Sequence, residues 1–209
     1  MTNPAPELVG PIAIAVDRSP DRQQWAIAAA QRTTDGRIHL EIGPYDPAWS
    51  NTDLVEKLVH IVTEWDPIAL AIDQRSAAAV LKPLLIEAEI EPHMTNASEL
   101  ALACGGFLDD SLAGRLSHSD QQILNDAVAS AVKRDLPGGG FAWTKTAGGS
   151  IAQLCAATLA HSALLVFGPS AAPPQLPAAP MMEMDRPTTR DDEFDRVLGA
   201  GVDITRAPF

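Results

Sequence analysis

Two aspartates in this chain each follow an uninterrupted apolar run. Asp17 comes directly after residues 12–16, and Asp73 comes directly after residues 68–72. Short apolar runs of this length are typical of buried strands. A polar residue often marks the start of a loop, so either aspartate alone has a plain structural explanation. If the two strands are parallel neighbours, however, both carboxylates emerge at one edge of a sheet, where they repel each other unless a cation lies between them.

Oxygen ligands of this kind suit Mg²⁺ or Mn²⁺. Two such ions about 3.5–4 Å apart stabilise both the attacking and the leaving oxygen of a phosphoryl displacement. The pair therefore favours metal-dependent phosphodiester chemistry. The same order of strands also serves actin-like ATPases, but those need glycine-rich phosphate loops after the strands. The loops that begin at Asp17 and Asp73 contain no glycine over residues 17–21 and 73–76.

The elements that would position the two aspartates begin with three strands. Apolar patterning predicts strands at residues 12–16, 24–31 and 37–42, and the Asp35-Gly36 pair between the second and third is a strong hairpin signal. The first three strands are therefore predicted to form an antiparallel meander. Helical spacing of apolar residues predicts an amphipathic helix over 52–65, which ends before Asp66-Pro67.

The remainder alternates helices and strands. Helices are predicted at 76–88, 97–112, 119–132 and 151–164, and strands at 68–72, 91–94 and 141–143. Ser or Asn followed three residues later by Gln or Glu predicts capping boxes that open three of the helices. The residues predicted to begin these capping boxes are Asn96, Ser119 and Ser150. The whole pattern predicts an α/β fold, with a mixed central sheet (the antiparallel meander followed by parallel strands) and helices on both faces.

Composition narrows the classes of protein further. The chain has 209 residues, a net charge of −12 and a pI near 4.7, and 46% of its residues are hydrophobic. It has no apolar stretch approaching the roughly 18–20 residues of a membrane span. Its two cysteines, Cys104 and Cys155, are far apart in apolar runs, which favours reduced thiols and a cytosolic location. Proteins that bind duplex DNA usually have a basic surface, so this charge argues against tight, autonomous DNA binding.

The predicted organisation is one folded domain over residues 11–168. Residues 1–10 read as a flexible leader, and the Pro-rich, acidic segment 169–209 reads as a largely disordered tail. The chain contains no G-x-x-x-x-G-K-[ST] motif, which excludes a P-loop ATPase motor. Gly138-Gly139-Gly140 is followed by no lysine and indicates a hairpin instead.

Several segments, taken together in their order and spacing, resemble the nuclease domain of the large terminase subunit of tailed bacteriophages, of the type found in phages and prophages of actinobacteria. No single motif is diagnostic. The resemblance covers roughly residues 11–167 and is carried by residues 15–22, 65–67, 71–73, 96–99, 103–107, 114–118, 124–128, 133–134, 142–143 and 156–160.

The resemblance implies an RNase H-like fold in which Asp17 and Asp73 are the first two ligands of a two-metal Mg²⁺ or Mn²⁺ site. The third acid of the family should stand just before the last helix, and that place falls on Ser150. A serine hydroxyl is a good helix cap but a poor, neutral metal ligand. The resemblance therefore implies a catalytic set of Asp17, Asp73 and Ser150 with weakened metal binding. Asp21 and Asp126 are candidates to compensate, although each also fits a solvated loop or helix residue.

Four further residues are candidates for substrate contacts. His118 stands where the family tends to have histidine, either to steady a phosphate or to make a structural hydrogen bond. Lys133, Arg134 and Lys145 form the only basic cluster near the predicted acidic edge, so they are candidates for phosphate contacts, although a solvated charged face would look the same.

The resemblance implies a metal-dependent endonuclease that cuts double-stranded phage DNA concatemers during genome packaging in the cytoplasm of the bacterial host. The implied partners are double-stranded DNA, a terminase ATPase domain, the small terminase subunit and the portal. Two alternatives remain open. One is a nuclease-derived module that has lost catalysis and docks on DNA or protein, and the other is an RNase H-fold Holliday-junction resolvase.

Overall fold

The computed structural model describes residues 6–44, 49–145 and 149–169. The predicted tail therefore lies outside the described residues, apart from Pro169, as does the first half of the predicted leader. No helix in the described ranges is both long and apolar enough to span a membrane.

A six-stranded mixed sheet is the centre of the fold. Its strands are β1 (Leu8–Arg18), β2 (Trp25–Thr33), β3 (Ile38–Ile42), β4 (Ala69–Asp73), β5 (His93–Thr95) and β6 (Leu116–His118), in the spatial order β5-β4-β1-β2-β3-β6. Strands β1, β2 and β3 pair antiparallel, as the sequence predicts for the meander. Strand β4 pairs parallel with β1 and β5, and β6 pairs parallel with β3. The predicted α/β fold with a mixed sheet is confirmed.

Five α-helices and one 3₁₀ turn accompany the sheet in the described residues. The helices are α1 (Asn51–Trp65), α2 (Lys82–Glu87), α3 (Ala97–Leu112), α4 (Gln122–Ser130) and α5 (Ala152–Phe167). One face of the sheet packs on α1, α2 and the 3₁₀ turn at Ala77–Leu81. The other packs on α3, α4 and α5. Helices on both faces are therefore also confirmed.

Helix α5 lies close to the sheet because both surfaces carry small side chains. The face of the sheet that packs on α5 carries alanines, and the facing side of α5 also carries alanines that are almost fully buried. These are Ala13, Ala15, Ala28, Ala30 and Ala71 on the strands, and Ala156, Ala157, Ala160 and Ala163 on the helix. Small residues let a helix backbone approach a sheet without leaving voids. The first turn of α5 is thus brought near the ends of β1 and β4.

The largest difference from the predicted elements follows α4. A helix was predicted over 119–132, but α4 ends at Ser130, and a strand, β7 (Ala131–Asp135), follows it. Strand β7 pairs antiparallel with β8 (Phe141–Lys145) in a separate two-stranded sheet. The helical pattern misleads because residues 131–135 are held by cross-strand pairing with β8, an interaction that no local pattern reveals.

Three smaller corrections concern element ends. Residues 76–88 form a 3₁₀ turn followed by the short helix α2, with a proline in the first turn of α2, rather than one continuous helix. Leu8 and Val9 belong to β1, where they pair with Thr33 and Arg32, although residues 1–10 were predicted as leader. The capping boxes predicted at Ser119 and Ser150 are absent, because α4 is capped by Gln121 and α5 by Ile151, and neither of these side chains accepts a capping hydrogen bond. The capping box at Asn96 and Glu99 is present.

Candidate active site

The register of β1 against β4 brings the two strand-end aspartates together. Ala13 pairs with Ala69 and Ala15 with Ala71, so the same register continued by two residues places Asp17 opposite Asp73. Side chains alternate between the faces of a sheet. Because Ala15 and Ala71 face α5, Asp17 and Asp73, two residues further on, face α5 as well. The sequence prediction that the two carboxylates share one edge is confirmed in this geometry.

Asp17 is the more deeply placed of the pair. It is only 6% exposed, and its Oδ1 atom has no hydrogen-bond partner among the described residues. Burial raises the pKa of Asp17 from its ordinary value of 3.8 to about 7, with a smaller raising contribution from the charge of Asp73. The backbone N–H of Arg18 and the polar side chains of Ser76 and Cys155 oppose that rise. A buried carboxylate with an unpaired oxygen is in need of a proton or a cation.

Asp73 is half-buried and better supplied with donors. Its Oδ1 accepts a hydrogen bond of 2.9 Å from the backbone N–H of Arg75. Partial burial still raises its pKa, whereas that hydrogen bond and the charge of Arg75 lower it. The two carboxylates therefore occupy different environments at the same edge, since Asp17 is buried from solvent and Asp73 is partly exposed to it.

Both aspartates line a cleft of about 550 Å³, and the other charged residues that line it in the described ranges are all basic. The basic residues that line the cleft are Arg18, Arg22, Arg75, Arg134 and Lys145. Five cations against two carboxylates make this cleft locally positive in a chain whose net charge is −12. Clustered Arg and Lys side chains of this kind bind phosphate oxygens.

Three of these arginines follow the aspartates directly in sequence. Arg18 directly follows Asp17, and Arg22 lies four residues after Arg18. Arg75 lies two residues after Asp73. From the sequence, these loops were interpreted only as lacking phosphate-binding glycines, and none of the three arginines was among the predicted site residues. A basic residue within two positions of each strand-end aspartate was the signal that could have identified two of them.

Arg18 is held in place by its neighbours. Its guanidinium lies 4.2 Å from the centre of the Trp25 ring, its Nη1 donates to Asn51 at 3.3 Å, and its Nε donates to the carbonyl of Arg22 at 3.2 Å. An arginine that stacks on an indole loses little further entropy when it binds an anion.

The β7–β8 hairpin forms another wall of the cleft. Ala142, Trp143, Thr144 and Lys145 of β8 line it together with Arg134 of β7. The indole N–H of Trp143 donates to the hydroxyl of Thr158 at 3.0 Å, which ties the hairpin to α5. Gly140 has a φ of +74°, and a Cβ there would lie 2.9 Å from that of Ala101, so glycine allows the hairpin to approach α3 closely.

The candidate phosphate-binding residues of the sequence analysis separate into two groups. Arg134 and Lys145 line the cleft. Lys133 is not among the residues that line it. The Lys133 ammonium lies instead 4.8 Å from the centre of the Phe141 ring.

Ser150 is not among the residues that line the cleft. Its hydroxyl accepts a hydrogen bond of 3.2 Å from the backbone N–H of Ala152, at the start of α5. Cys155 of α5 lines the cleft, and its side chain lowers the pKa of Asp17 through a hydrogen bond. Burial raises the pKa of the Cys155 thiol itself well above its usual range. From the sequence, Cys155 was predicted only to be a reduced thiol in an apolar run. Its position one turn into α5 gives no local signal, because its nearness to Asp17 depends on how α5 sits on the sheet.

The three auxiliary candidates lie outside the cleft. Asp21 is exposed and accepts hydrogen bonds from the Ser19 hydroxyl at 2.5 Å and the Gln23 backbone N–H at 3.1 Å, which stabilises its own loop. Asp126 is exposed on α4 and accepts from Gln122 at 2.7 Å. His118 ends β6, at the opposite edge of the sheet from β5, and its Nδ1 accepts the backbone N–H of Asp120 at 3.2 Å. None of these placements brings the residue to Asp17 and Asp73.

The donor set partly fits the divalent cations that the sequence analysis expects. The unpaired Oδ1 of buried Asp17, next to a second carboxylate, suits a hard cation. A third ligand is not yet in place, since in the described ranges no group of three His, Cys, Asp or Glu side chains is arranged to hold a metal ion. In the described residues, Asp17 and Asp73 alone thus do not make a complete metal site.

No family model and no curated protein sequence matches this chain. Solved structures do resemble it. The large terminase of bacteriophage HK97 aligns over 76% of this chain and 40% of its own, with 15% identity and a TM-score of 0.61. The large terminase nuclease of thermophilic phage G20c aligns over 75% of this chain and 85% of its own, with 13% identity and a TM-score of 0.54. The same nuclease with bound magnesium aligns over 77% of this chain and 82% of its own, with 13% identity and a TM-score of 0.55.

These likenesses show that the chain has the fold of large terminase nucleases. At 13–15% identity they concern the fold alone. The chain spans less than half of the HK97 large terminase but corresponds to most of the G20c nuclease. The predicted RNase H-like architecture is therefore confirmed at the level of the fold.

Proposed function

We propose that this chain is the nuclease domain of a large terminase and that it hydrolyses double-stranded DNA in the cleft at Asp17 and Asp73. One observation carries the proposal. Two facing strand-end carboxylates, one buried with an unpaired oxygen, share a cleft with five basic side chains in a strongly acidic chain. Carboxylates for a cation and cations for a phosphate backbone are the two requirements of a metal-dependent nuclease.

Each wall of the cleft has its own task. Asp17 and Asp73 would hold Mg²⁺ or Mn²⁺, which when bound supplies Lewis-acid stabilisation of the charge on the reacting phosphate. Arg18 and Arg75, which stand next to the carboxylates, bind the phosphates on either side of the scissile one. Arg134 and Lys145 on the hairpin hold the backbone further along the duplex. Fixing the strand in this way orients the phosphodiester before the chemical step.

The biological role that fits this cleft is the cutting of phage DNA concatemers during genome packaging. A terminase ATPase domain, the small terminase subunit and the portal are then its partners, in the cytoplasm of the host bacterium. The negative net charge of this chain weakens its binding to DNA. Contacts between an ATPase partner and the duplex would therefore add to the binding supplied by the basic residues of the cleft.

Cleavage of supercoiled plasmid tests the activity. The purified chain with Mn²⁺ or Mg²⁺ should nick and linearise the plasmid, and a chelator should abolish cutting. Asp17→Asn and Asp73→Asn should each lose cutting by at least about 100-fold, the size typical of a lost catalytic contact. Asp21→Asn is the matched control, since Asp21 also follows β1 but lies outside the cleft, and it should cut at the parent rate.

Two results would reject the catalytic proposal. Cutting that persists in both Asp17→Asn and Asp73→Asn would mean that a contaminant or another site is responsible. No cutting by the parent with either cation, together with retained DNA binding, would identify a docking module that has lost catalysis. The observation that favours this second candidate is that the described part of the cleft contains no third carboxylate.

A further inference from the structure

We propose that Trp143 is a positioning residue for the DNA substrate, because its hydrogen bond to Thr158 holds the β7–β8 hairpin where Arg134 lines the cleft. The inference rests on the proposed function and deepens it. It concerns how a basic residue of a separate hairpin is kept beside Asp17 and Asp73, which lie on the central sheet.

The β7–β8 hairpin is not part of the six-stranded sheet. In the described ranges its two strands pair with each other and with no other strand. A two-stranded ribbon by itself is at best marginally stable in water. Strand β7 has little support of its own, since four of its five residues are exposed. The contacts of β8 with the helices are therefore needed to fix the hairpin.

Trp143, in the middle of β8, makes such contacts with two helices. Its indole N–H donates to the hydroxyl of Thr158 on α5 at 3.0 Å, and Thr158 is fully buried. On α3, burial raises the pKa of the Cys104 thiol to about 11, and a hydrogen bond from the backbone N–H of Trp143 opposes that rise. Trp143 thus joins the hairpin to two of the helices that pack on the same face of the sheet.

The register of the hairpin extends this anchoring to Arg134. Arg134 pairs with Ala142, and its neighbour Lys133 pairs with Trp143. Paired residues of antiparallel strands have Cα atoms only about 4.5–5.5 Å apart, so Arg134 stands close to the anchored position. Ala142 is itself 4% exposed and lines the cleft. A shift of Trp143 would therefore move Arg134 with it.

The other basic residue of the hairpin has an additional contact. The Lys145 ammonium donates to the carbonyl of Gly149 at 3.0 Å, near the start of α5. Arg134 lies instead on the exposed strand β7. Fixing that strand in advance reduces the conformational entropy that Arg134 loses when it binds a phosphate. We therefore expect Trp143 to act on DNA binding chiefly through Arg134.

A double-mutant cycle tests the inference without metal or cleavage. Labelled duplex DNA is titrated by fluorescence with the full chain at several salt concentrations. Arg134→Ala should reduce the slope of log affinity against log salt by about 0.9, the value of one lost phosphate contact. Trp143→Phe keeps an aromatic ring but removes the N–H, and it should reduce the slope by itself. In that background Arg134→Ala should keep at most about half of its effect, because both substitutions act on one contact.

Three further variants serve as controls. Thr158→Val removes the same hydrogen bond from the helix side and keeps the shape of the side chain, so it should reproduce the effect of Trp143→Phe. Trp65→Phe removes the indole of an exposed tryptophan on α1, on the opposite face of the sheet, and should leave the slope unchanged. Arg18→Ala, on another wall of the cleft, should reduce the slope by about 0.9 in both the parent and the Trp143→Phe backgrounds.

The outcomes separate the two proposals. If Arg134→Ala and Arg18→Ala both keep their full effects in the Trp143→Phe background, the cleft remains the DNA surface and the positioning role of Trp143 is overturned. Loss of the Arg18→Ala effect in that background would mean that Trp143 supports the whole domain rather than the hairpin, which overturns the inference as well. If neither arginine variant changes the slope in the parent background, the cleft does not hold DNA, and the proposed function fails together with the inference.

Discussion

Asp17 lowers the stability of the metal-free protein, because its carboxylate is buried. Its buried oxygen has no partner among the described residues, and burial raises its pKa to about 7. Residues kept at such a cost are typical of functional sites, where the unfavourable state is relieved by a ligand. The fold supports the cost because Asp17 directly follows Ile14, Ala15 and Val16, which are fully buried in β1.

Asp17→Asn should make the chelator-treated protein more stable at neutral pH. Between about pH 4 and pH 7 the unfolded carboxyl has lost its proton while the folded one still holds it, so the free energy of unfolding of the parent falls as pH rises through this window. The asparagine variant lacks that fall. Urea unfolding should show a gain on the order of a few kcal/mol above pH 7 that disappears near pH 4.

Asp21→Asn is the control for that experiment. Asp21 is exposed and its pKa is lowered, mainly by the hydrogen bond from Ser19, so its substitution should bring no gain at neutral pH. Parent and Asp17→Asn proteins whose unfolding free energies change in parallel with pH would show that the carboxyl is not held in its protonated form.

Two substitutions can decide which position should have carried the third acid. Cys155→Asp puts a carboxylate in the cleft beside Asp17, whereas Ser150→Asp puts one at the start of α5, outside the cleft. Calorimetric titration should show Mg²⁺ affinity raised roughly tenfold, or about 1.4 kcal/mol, by Cys155→Asp. Ser150→Asp should leave it unchanged, and the reverse ranking would return the third position to residue 150.

Among the residues of the cleft, those at the ends of adjacent strands are the ones that the sequence identifies most directly. Asp17 and Asp73 are predictable because a strand pattern fixes which residue comes last, and a parallel pairing brings two such ends together. Cys155 is different. Its part in the cleft depends on how α5 packs on the sheet, and this packing is not encoded in the spacing of nearby residues.

At the scale of elements, α3 and α5 are joined by a buried polar contact. His161 of α5 is 1% exposed, and its Nε2 lies 2.7 Å from Oδ2 of Asp110 on α3. Burial alone would raise the pKa of Asp110, but hydrogen bonds from Arg115 and His161 outweigh it and lower the pKa. The ring of Phe107 packs edge-on against His161. This contact fixes α5, the helix that faces the two carboxylates.

Removal of that contact should destabilise the whole domain. Asp110→Ala leaves the buried His161 ring without a partner at Nε2, and its Nδ1 already has none among the described residues. We expect a loss of about 2–3 kcal/mol in the free energy of unfolding, measured by urea denaturation at neutral pH. Asp109→Ala, at the exposed neighbouring position, should cost little. Equal losses in the two variants would contradict a specific role for the contact.

The predicted elements succeed where local chemistry dominates and fail where pairing does. Helix α3 has its predicted bounds, since Asn96 and Glu99 form the reciprocal cap that opens it. Strand β7 was predicted as the end of a helix, because Ala131 and Val132 extend the apolar pattern of α4. Only the distant partner β8 makes this segment a strand, and a single sequence does not display that pairing.

At the scale of the whole molecule, charge is divided between an acidic chain and a basic cleft. A net charge of −12 repels DNA at a distance, while five cations attract it inside the cleft. Screening by salt weakens both effects. Composition alone therefore indicated weak DNA binding, and it could not indicate that the basic residues of separate loops and strands gather on one surface.

Neighbouring basic residues on β7 provide a test of this division. Arg134 lines the cleft, whereas Lys133 lies over the Phe141 ring outside it, so the pair differs in position but not in charge. In fluorescence titrations of duplex DNA at several salt concentrations, without metal, Arg134→Ala should weaken binding and reduce the slope of log affinity against log salt by about 0.9, the value of one lost phosphate contact. Lys133→Ala should leave the slope unchanged, because its ammonium contacts no phosphate in the cleft. Equal changes of slope in the two variants would mean that DNA responds only to total charge, and the cleft would then not be the surface that holds the duplex.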